Sequence, residues 1–132
     1  YQTEYSLIVD CPELRTISGI TSLNNIPFTG SCYVFEDVII YELKSFKNGV
    51  PHGIHKSYYY PTDRLEYVGY RKKGHIHGPY TKYHMNGNIM VTGQFKRGVY
   101  SGKWRFYNEQ GDLVEEKNYG IGGNVTDINI IE

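Results

Sequence analysis

KRGVYSGKWRFYNEQGDLVEEKNY, residues 96–119, repeats the pattern of residues 72–95, KKGHIHGPYTKYHMNGNIMVTGQF. Each stretch holds two glycines separated by three residues, then an aromatic residue, a polar turn and an apolar residue. Aligned on the second glycine, the unit recurs at Gly53, Gly78 and Gly102, at intervals of 25 and 24 residues. Periods of roughly 20 to 50 residues indicate repeat architectures in which each unit packs on its neighbours.

A fourth and weaker copy precedes these three. Gly30 stands where the second glycine belongs, and Ile26 stands in place of the first glycine. In every copy an aromatic residue follows the second glycine by five positions: Phe35, Tyr58, Tyr83 and Tyr107.

Each copy is expected to form a β-hairpin rather than a helix. Between residue 45 and the tail, the longest run without glycine is 54–68, and Pro61 interrupts it. Short runs rich in Tyr, Phe, Val, Ile and Thr, bounded by dipeptides such as Asn48-Gly49 and Asn86-Gly87, are the sequence signature of hairpins. We therefore predict an all-β fold, an elongated antiparallel β-meander of about four hairpin repeats and about eight strands, with non-repeat terminal caps.

The glycine pairs and aromatic positions resemble the MORN repeat, and more closely its bacterial variant form. The resemblance runs from about residue 25 to 119; the turn YYYPTDRLEY departs from it by one extra residue and a missing glycine. The repeats are predicted at about 23–46, 47–70, 71–95 and 96–119. Residues 1–22 and 120–132 are predicted to be terminal caps, with YSLIVDC and NVTDINII as cap strands.

Composition places much of the buried surface in aromatic rings, since the chain has 14 Tyr, five Phe and one Trp. No apolar run is long enough for a transmembrane helix, so we expect a soluble protein and favour the cytoplasm. Cys11 and Cys32 allow one disulfide or two free thiols, and both are expected in the core.

Charge is uneven although the chain is neutral overall. Residues 1–44 carry −4, residues 45–107 carry +9 and residues 108–132 carry −5. This asymmetry suggests an acidic or polyanionic partner for the middle of the chain.

No catalytic, cofactor or metal site is predicted. His75 and His77 could share a strand face, but His52 and His77 both precede a second glycine, so this position belongs to the turn motif. Neither a nucleophile elbow nor a phosphate loop is present. An enzyme would require a buried pair of titrating groups, which the sequence does not predict.

The predicted binding surface is an aromatic and basic sheet face. We expect Tyr58, Tyr83 and Tyr107 to stack as a ladder, because they share one position in successive repeats. A single-layered sheet leaves rings exposed on its less covered face, and such patches rimmed by cations are typical of binding surfaces. The candidate residues are Tyr58, Tyr80, Tyr83, Trp104, Phe106, Tyr107, Arg71, Lys72, Lys73, Lys82, Lys96, Arg97, Lys103 and Arg105.

Two functions compete for this surface. The first is a non-catalytic module that binds another protein; the resemblance implies a scaffold, an antitoxin-like role or an accessory part of an assembly. The second is a polyanion binder that uses residues 45–107 on nucleic acid or an anionic membrane surface, and MORN repeats have been linked to phospholipids. Phosphate-driven binding weakens steeply with salt, so a salt titration separates the two.

Overall fold

A computed structural model describes residues 8–131. This part of the chain is built from β-strands, with two single 3-10 turns at Cys11–Glu13 and Ile121–Gly123. The strands are β1 (Ile8–Asp10), β2 (Arg15–Ile17), β3 (Ile20–Leu23), β4 (Ile26–Pro27), β5 (Gly30–Glu36), β6 (Ile39–Lys47), β7 (Val50–Pro51), β8 (Gly53–Tyr58), β9 (Leu65–Lys72), β10 (His75–Ile76), β11 (Gly78–Tyr83), β12 (Ile89–Lys96), β13 (Val99–Tyr107), β14 (Leu113–Tyr119) and β15 (Val125–Ile130).

The predicted all-β meander is confirmed. One large sheet has the strand order β1-β5-β6-β8-β9-β11-β12-β13-β14-β15, so eight long strands follow one another from β5 to β14. Short strands β7 and β10 pair with the ends of β6 and β9. At the C-terminal edge, β15 adds an antiparallel strand to β14.

The N-terminal edge departs from a purely antiparallel sheet, because β1 pairs with β5 in parallel. Between them the chain forms a separate antiparallel sheet, β2-β3-β4. A parallel pair needs a long crossover connection, and this small sheet is that connection. Of the predicted cap segment YSLIVDC, the part before Ile8 lies outside the described residues.

The first glycine of each repeat lies in a two-residue turn, which we call a glycine turn. The glycine turns are Asn48-Gly49, Lys73-Gly74 and Arg97-Gly98, and both residues of each have positive φ. This is the type I′ geometry, whose twist matches that of the flanking strands.

Successive glycine turns are joined by backbone hydrogen bonds. The N–H of Gly74 donates to the carbonyl of Pro51, and the N–H of Gly98 donates to the carbonyl of Ile76, both at 2.9 Å. Gly49 donates in the same way to the carbonyl of Phe28. The turns therefore form one row along an end of the strands.

In the weak N-terminal copy of the repeat, the turn lies one residue earlier in the chain than the sequence alignment predicted. Its turn is Asn24-Asn25, with φ of 52° and 67°, and Leu23 pairs with Ile26 across it. Asn25 thus occupies the place of the first glycine, and Ile26 begins β4. Asparagine tolerates positive φ better than other non-glycine residues, which is why the glycine pattern is lost without losing the turn.

At the opposite end of the strands, the extra residue near Pro61 is absorbed by the turn. Tyr58 pairs with Leu65, just as Tyr107 pairs with Leu113. The N–H of Tyr59 closes this turn on the carbonyl of Arg64. The strand register of the repeats is therefore preserved.

A single layer leaves most side chains half-exposed. The accessible surface is 8817 Å², whereas a compact monomer of this mass exposes about 7,100 Å². The most buried apolar side chains are Phe28, Cys32 and Trp104. Among the described residues, no helix is long and apolar enough to cross a membrane.

Cys11 and Cys32 form a disulfide, which settles the pairing that the sequence left open. The bond joins the first 3-10 turn to β5. Cys32 is buried as expected, whereas Cys11 is half-buried. Disulfides are typical of oxidising compartments.

Candidate binding groove

One position of the repeat supplies the inward side chains of the large sheet. It lies two residues after the second glycine and is occupied by Cys32, His55, Tyr80 and Trp104. Cys32, His55 and Trp104 are among the most buried side chains of the protein. We call the sheet face that bears these four residues the groove face.

Glycines on the intervening strands allow large rings at this position. Gly69 pairs with His55 and Gly93 pairs with Tyr80. A Cβ atom on Gly93 would lie 2.1 Å from the ring of Trp104, so the indole occupies the space of the missing side chain. Each ring therefore packs over the backbone of the preceding repeat.

The rings of the last two repeats form one continuous cluster on the groove face. The Trp104 ring is 4.9 Å from both Phe95 and Tyr100, and 5.9 Å from Tyr80. The ring centre of Tyr80 lies 5.6 Å from that of Tyr67, so the cluster extends to Tyr67. Most of the contacts of Trp104 are edge-to-face, the geometry that aromatic quadrupoles favour.

These rings surround an open groove of about 530 Å³, which we call the aromatic groove. Clefts of roughly 300–1,000 Å³ are typical of ligand sites. Three cations, Arg71, Lys82 and Lys117, lie among the lining residues, and no acidic side chain does within the described chain. The full lining is Tyr67, Arg71, Ile76, Tyr80, Lys82, Val91, Phe95, Tyr100, Trp104, Phe106, Lys117 and Tyr119.

Burial changes the chemistry of the groove tyrosines. The pKa of Tyr80 is raised to about 12, mainly because the phenol is buried and secondly because Tyr67 is nearby. Desolvation also raises the pKa of Tyr67. Both phenols, which an ordinary pKa would already leave neutral near pH 7, therefore stay neutral to a higher pH and act as hydrogen-bonding groups.

A polar cluster adjoins the aromatic groove where the small sheet covers the groove face. The Nε2 atom of His55 lies 2.7 Å from Glu42, and Nη2 of Arg71 lies 3.2 Å from Nδ1 of His55. Since a guanidinium can only donate, Nδ1 accepts and Nε2–H donates to Glu42. Desolvation lowers the pKa of His55, although Glu42 acts in the opposite direction. This arrangement favours a neutral imidazole.

The His55 cluster lines a second cavity of about 430 Å³ together with Thr16 and Thr21 of the small sheet. Arg71 lines both this cavity and the aromatic groove. Both ring nitrogens of His55 are already engaged, so the imidazole has no ring atom left to accept a proton from a substrate. The cluster is therefore suited to holding Arg71 in place.

The predicted binding residues fall into three separate regions. The aromatic groove contains five of them: Arg71, Tyr80, Lys82, Trp104 and Phe106. The row of glycine turns carries four more, all exposed: Lys72, Lys73, Lys96 and Arg97. The remaining five, which by strand alternation lie on the opposite face, are Tyr58, Tyr83, Lys103, Arg105 and Tyr107.

On the opposite face the cations are partly neutralised. Arg105 donates from Nε to Glu116 at 2.8 Å, and this hydrogen bond is the main cause of the lowered pKa of Glu116. Such exposed pairs contribute little to stability.

The expected ladder of Tyr58, Tyr83 and Tyr107 does not form: no ring pair joins them in the described chain. Equivalent positions of successive repeats are two strands apart, about 9.6 Å, which exceeds the distance for ring contact. Tyr80 and Trp104 also occupy equivalent positions, and they meet because Gly93 leaves the space between them empty.

Several groove residues were missed from the sequence. Tyr67, Phe95, Tyr100, Lys117 and Tyr119 were not among the predicted binding residues. A usable signal was present: Gly69 and Gly93 recur at the repeat interval within strands, where an interior glycine indicates close approach of other atoms.

His52 and His77, which each precede a second glycine, lie beside the glycine turns. Nδ1 of His77 accepts a hydrogen bond from the N–H of Arg97 at 3.1 Å, and the N–H of His52 donates to the carbonyl of Ser45. Within residues 8–131 no group of three or more metal-ligating side chains converges.

No protein-family model matches this chain, and neither the curated proteins nor the solved structures contain a significant match to it.

Proposed function

We propose that this chain is a non-catalytic repeat module of the MORN type that binds another protein through the aromatic groove. It would serve as a scaffold, an antitoxin-like protein or an accessory component of an assembly. The observation that carries the proposal is the groove itself, in which seven aromatic side chains surround an open volume, and no second sheet of residues 8–131 lies over them.

The composition of the groove supports a protein partner. Tyrosine, tryptophan and arginine dominate the energetics of protein interfaces, because they bury a large area and retain a polar group. Tyr100, which is 45% exposed, offers such a side chain directly to solvent above Trp104.

A non-catalytic role is supported by the His55 cluster. His55 and Glu42 form the kind of buried titrating pair that an enzyme would need, but Arg71 occupies the remaining ring nitrogen. Cys32 occupies the position in the preceding repeat that is equivalent to His55. Its sulfur is bonded to Cys11, so it is not a free thiol that could act as a nucleophile. These contacts suit a positioning role for His55.

Selection from an unbiased peptide display library tests the proposal. We expect the selected peptides to bind Tyr100→Ala at least about tenfold more weakly than the parent. Truncating a central interface ring typically costs about 2 kcal/mol of binding free energy. Tyr70→Ala is the matched control, because Tyr70 is 39% exposed and lies on the opposite face. Binders that Tyr70→Ala weakens as strongly as Tyr100→Ala would contradict the groove as the binding surface.

The second candidate is a polyanion binder, and the row of glycine turns favours it. Lys47, Lys72 and Lys96 occupy one position of successive turns, and Lys73 and Arg97 the next, all exposed. Binding of a 20-residue oligothymidylate or of phosphatidylserine vesicles that weakens at least about tenfold between low and physiological salt, and that Lys73→Gln/Arg97→Gln abolishes, would favour this function.

A further inference from the structure

We propose that the aromatic groove binds an extended peptide segment of a partner protein in which acidic residues flank a short apolar stretch. This inference rests on the proposed protein-binding function and specifies the chemistry of the partner.

The charge of the groove is the first argument. Arg71, Lys82 and Lys117 line it and no carboxylate does in the described chain, although the whole chain is neutral. On the same face, Glu42 is held by His55, Glu66 accepts a hydrogen bond from Ser57, and Glu115 is paired across from Phe106 at the margin. A ligand that carries carboxylates therefore meets three cations in the groove, and one that carries lysines does not find a partner there.

The cations are also placed to accept carboxylates. Arg71 uses one N–H on His55, whose other nitrogen is fixed by Glu42, so the guanidinium is held with further donors available. Lys117 lies 5.3 Å from the centre of the Phe106 ring, which supports its chain over the aromatic floor. Neither cation forms an ion pair within the described residues.

The spacing of the cations defines the length of the segment. Lys82, on β11, pairs with Tyr67, which lies four residues before Arg71 on β9. Lys117, on β14, pairs with Trp104 and lies three strands away from β11. At about 4.8 Å between strands and about 3.3 Å per residue, the backbones are about 14 Å apart for Lys82 and Arg71, and about 20 Å for Arg71 and Lys117. About four to six extended residues span these distances.

The apolar floor between the cations defines the middle of the segment. Trp104 is only 3% exposed, whereas Tyr100 is 45% exposed, so the floor of the groove is buried and part of its wall is accessible. One or two apolar side chains of a peptide can contact Phe95, Tyr80 and Tyr100 while flanking carboxylates reach the cations.

Nucleic acid and membrane fit the groove less well. A nucleic-acid strand carries a charge at every nucleotide, a few ångströms apart, and three cations at separations of about 14–20 Å do not match that density. Several rings around Trp104 are packed edge-to-face, which leaves few flat ring faces for base stacking. A planar bilayer surface cannot reach the floor of a concave groove.

The test uses the groove-dependent binders from the unbiased peptide library. We expect Asp or Glu on both sides of an apolar core, about four to six positions apart, and depletion of Lys and Arg. Lys82→Gln/Lys117→Gln should weaken these binders at least about tenfold, since charge-assisted hydrogen bonds are roughly twice as strong as neutral ones. Arg71 is left unchanged because it also contacts His55.

The matched control is Lys73→Gln/Lys96→Gln, which removes the same charge from the row of glycine turns and should change affinity less than about twofold, as rim charges far from a site do. Circular dichroism and melting temperature confirm that both double variants fold.

Four results would overturn the acidic-segment proposal. Groove-dependent binders without acidic enrichment would refute it while leaving the protein-binding function intact. Equal loss in the two double variants would show that the cations of the groove have no special role. A 20-residue oligothymidylate or phosphatidylserine vesicles could displace the peptides from the parent but not from Lys82→Gln/Lys117→Gln. That result would assign the groove to nucleic acid or membrane. The absence of any groove-dependent binder would refute both proposals.

Discussion

Two glycines of the third repeat are needed for different physical reasons. Gly78 has a φ of 93°, but a Cβ atom there would meet nothing within 4 Å. Gly93 has no positive φ, but its Cβ atom would lie within the ring of Trp104. The first glycine serves backbone conformation and the second serves packing.

Replacing these glycines should therefore have unequal effects. We expect Gly93→Ala to lower the free energy of unfolding by about 3 kcal/mol, because Trp104 must leave its place. Gly78→Ala should cost about 1–2 kcal/mol through backbone strain alone. Urea unfolding measures both. A Gly93→Ala protein that unfolds at the same urea concentration as the parent would contradict the packing of Trp104 over β12.

His55 makes stability depend on pH. Its pKa lies below the ordinary value of 6.5, first because of burial, while Glu42 raises the pKa and Arg71 and Lys44 lower it further. Tyr67, the other group packed on the imidazole, contacts it edge-to-face. As pH falls through 6.5, the unfolded chain takes up a proton before the folded chain does, so the folded state loses stability.

We expect the free energy of unfolding to decrease between about pH 7.5 and about pH 5.5, and to decrease less in His55→Gln. Urea unfolding at the two pH values measures this difference, and NMR titration of the imidazole gives its direction independently. An imidazole of His55 that titrates above 6.5 would show that the pair with Glu42 outweighs burial.

At the scale of the elements, the glycine turns differ in how well their residues suit them. Asn48, Lys73 and Arg97 occupy the same position with φ of 49°, 51° and 51°. Asparagine is favoured at this position of a type I′ turn, and lysine and arginine are not.

Asparagine should therefore stabilise the later turns. We expect Arg97→Asn to raise the free energy of unfolding by about 0.5–1 kcal/mol, because it relieves strain without removing the N–H that donates to His77. The reverse change, Asn48→Arg, should lower it by a similar amount. Urea unfolding compares the pair, and a loss of stability in Arg97→Asn would mean that the arginine side chain supports the turn.

The disulfide ties the N-terminal edge of the sheet. It closes a segment of 21 residues that contains the small sheet. In the chain-entropy account, a loop of this length contributes about 3 kcal/mol.

We expect Cys11→Ala/Cys32→Ala to lose about 3 kcal/mol, and a reductant to have a similar effect on the parent but none on the variant. Intact mass under non-reducing conditions verifies the bond, since oxidation removes two hydrogens. A parent chain whose mass and urea midpoint do not change on reduction would contradict the Cys11–Cys32 pair.

At the scale of the whole molecule, the meander was predictable because its signal is repeated. The second glycines and the aromatic residues recur at one interval, and β5 to β14 follow that order. The parallel pairing of β1 was not predictable, since nothing local in IVD distinguishes a parallel from an antiparallel partner.

The groove was predictable only in part. Tyr80, Trp104, Phe106, Arg71 and Lys82 were assigned to the binding surface from composition and alternation. The position of the rings depends on distances across strands, which the repeat interval does not give. This is why a ladder was expected at Tyr58, Tyr83 and Tyr107, whereas the rings gather where Gly93 makes space.

The most direct test of the account is a methyl NMR titration of the folded chain with a peptide selected from the library. Ile76 and Val91 line the aromatic groove, and Ile54 and Val68 lie on the opposite face by strand alternation. We expect the methyl signals of Ile76 and Val91 and the indole N–H signal of Trp104 to shift, while the methyl signals of Ile54 and Val68 do not. Shifts of Ile54 and Val68 with an unchanged Trp104 would contradict this expectation.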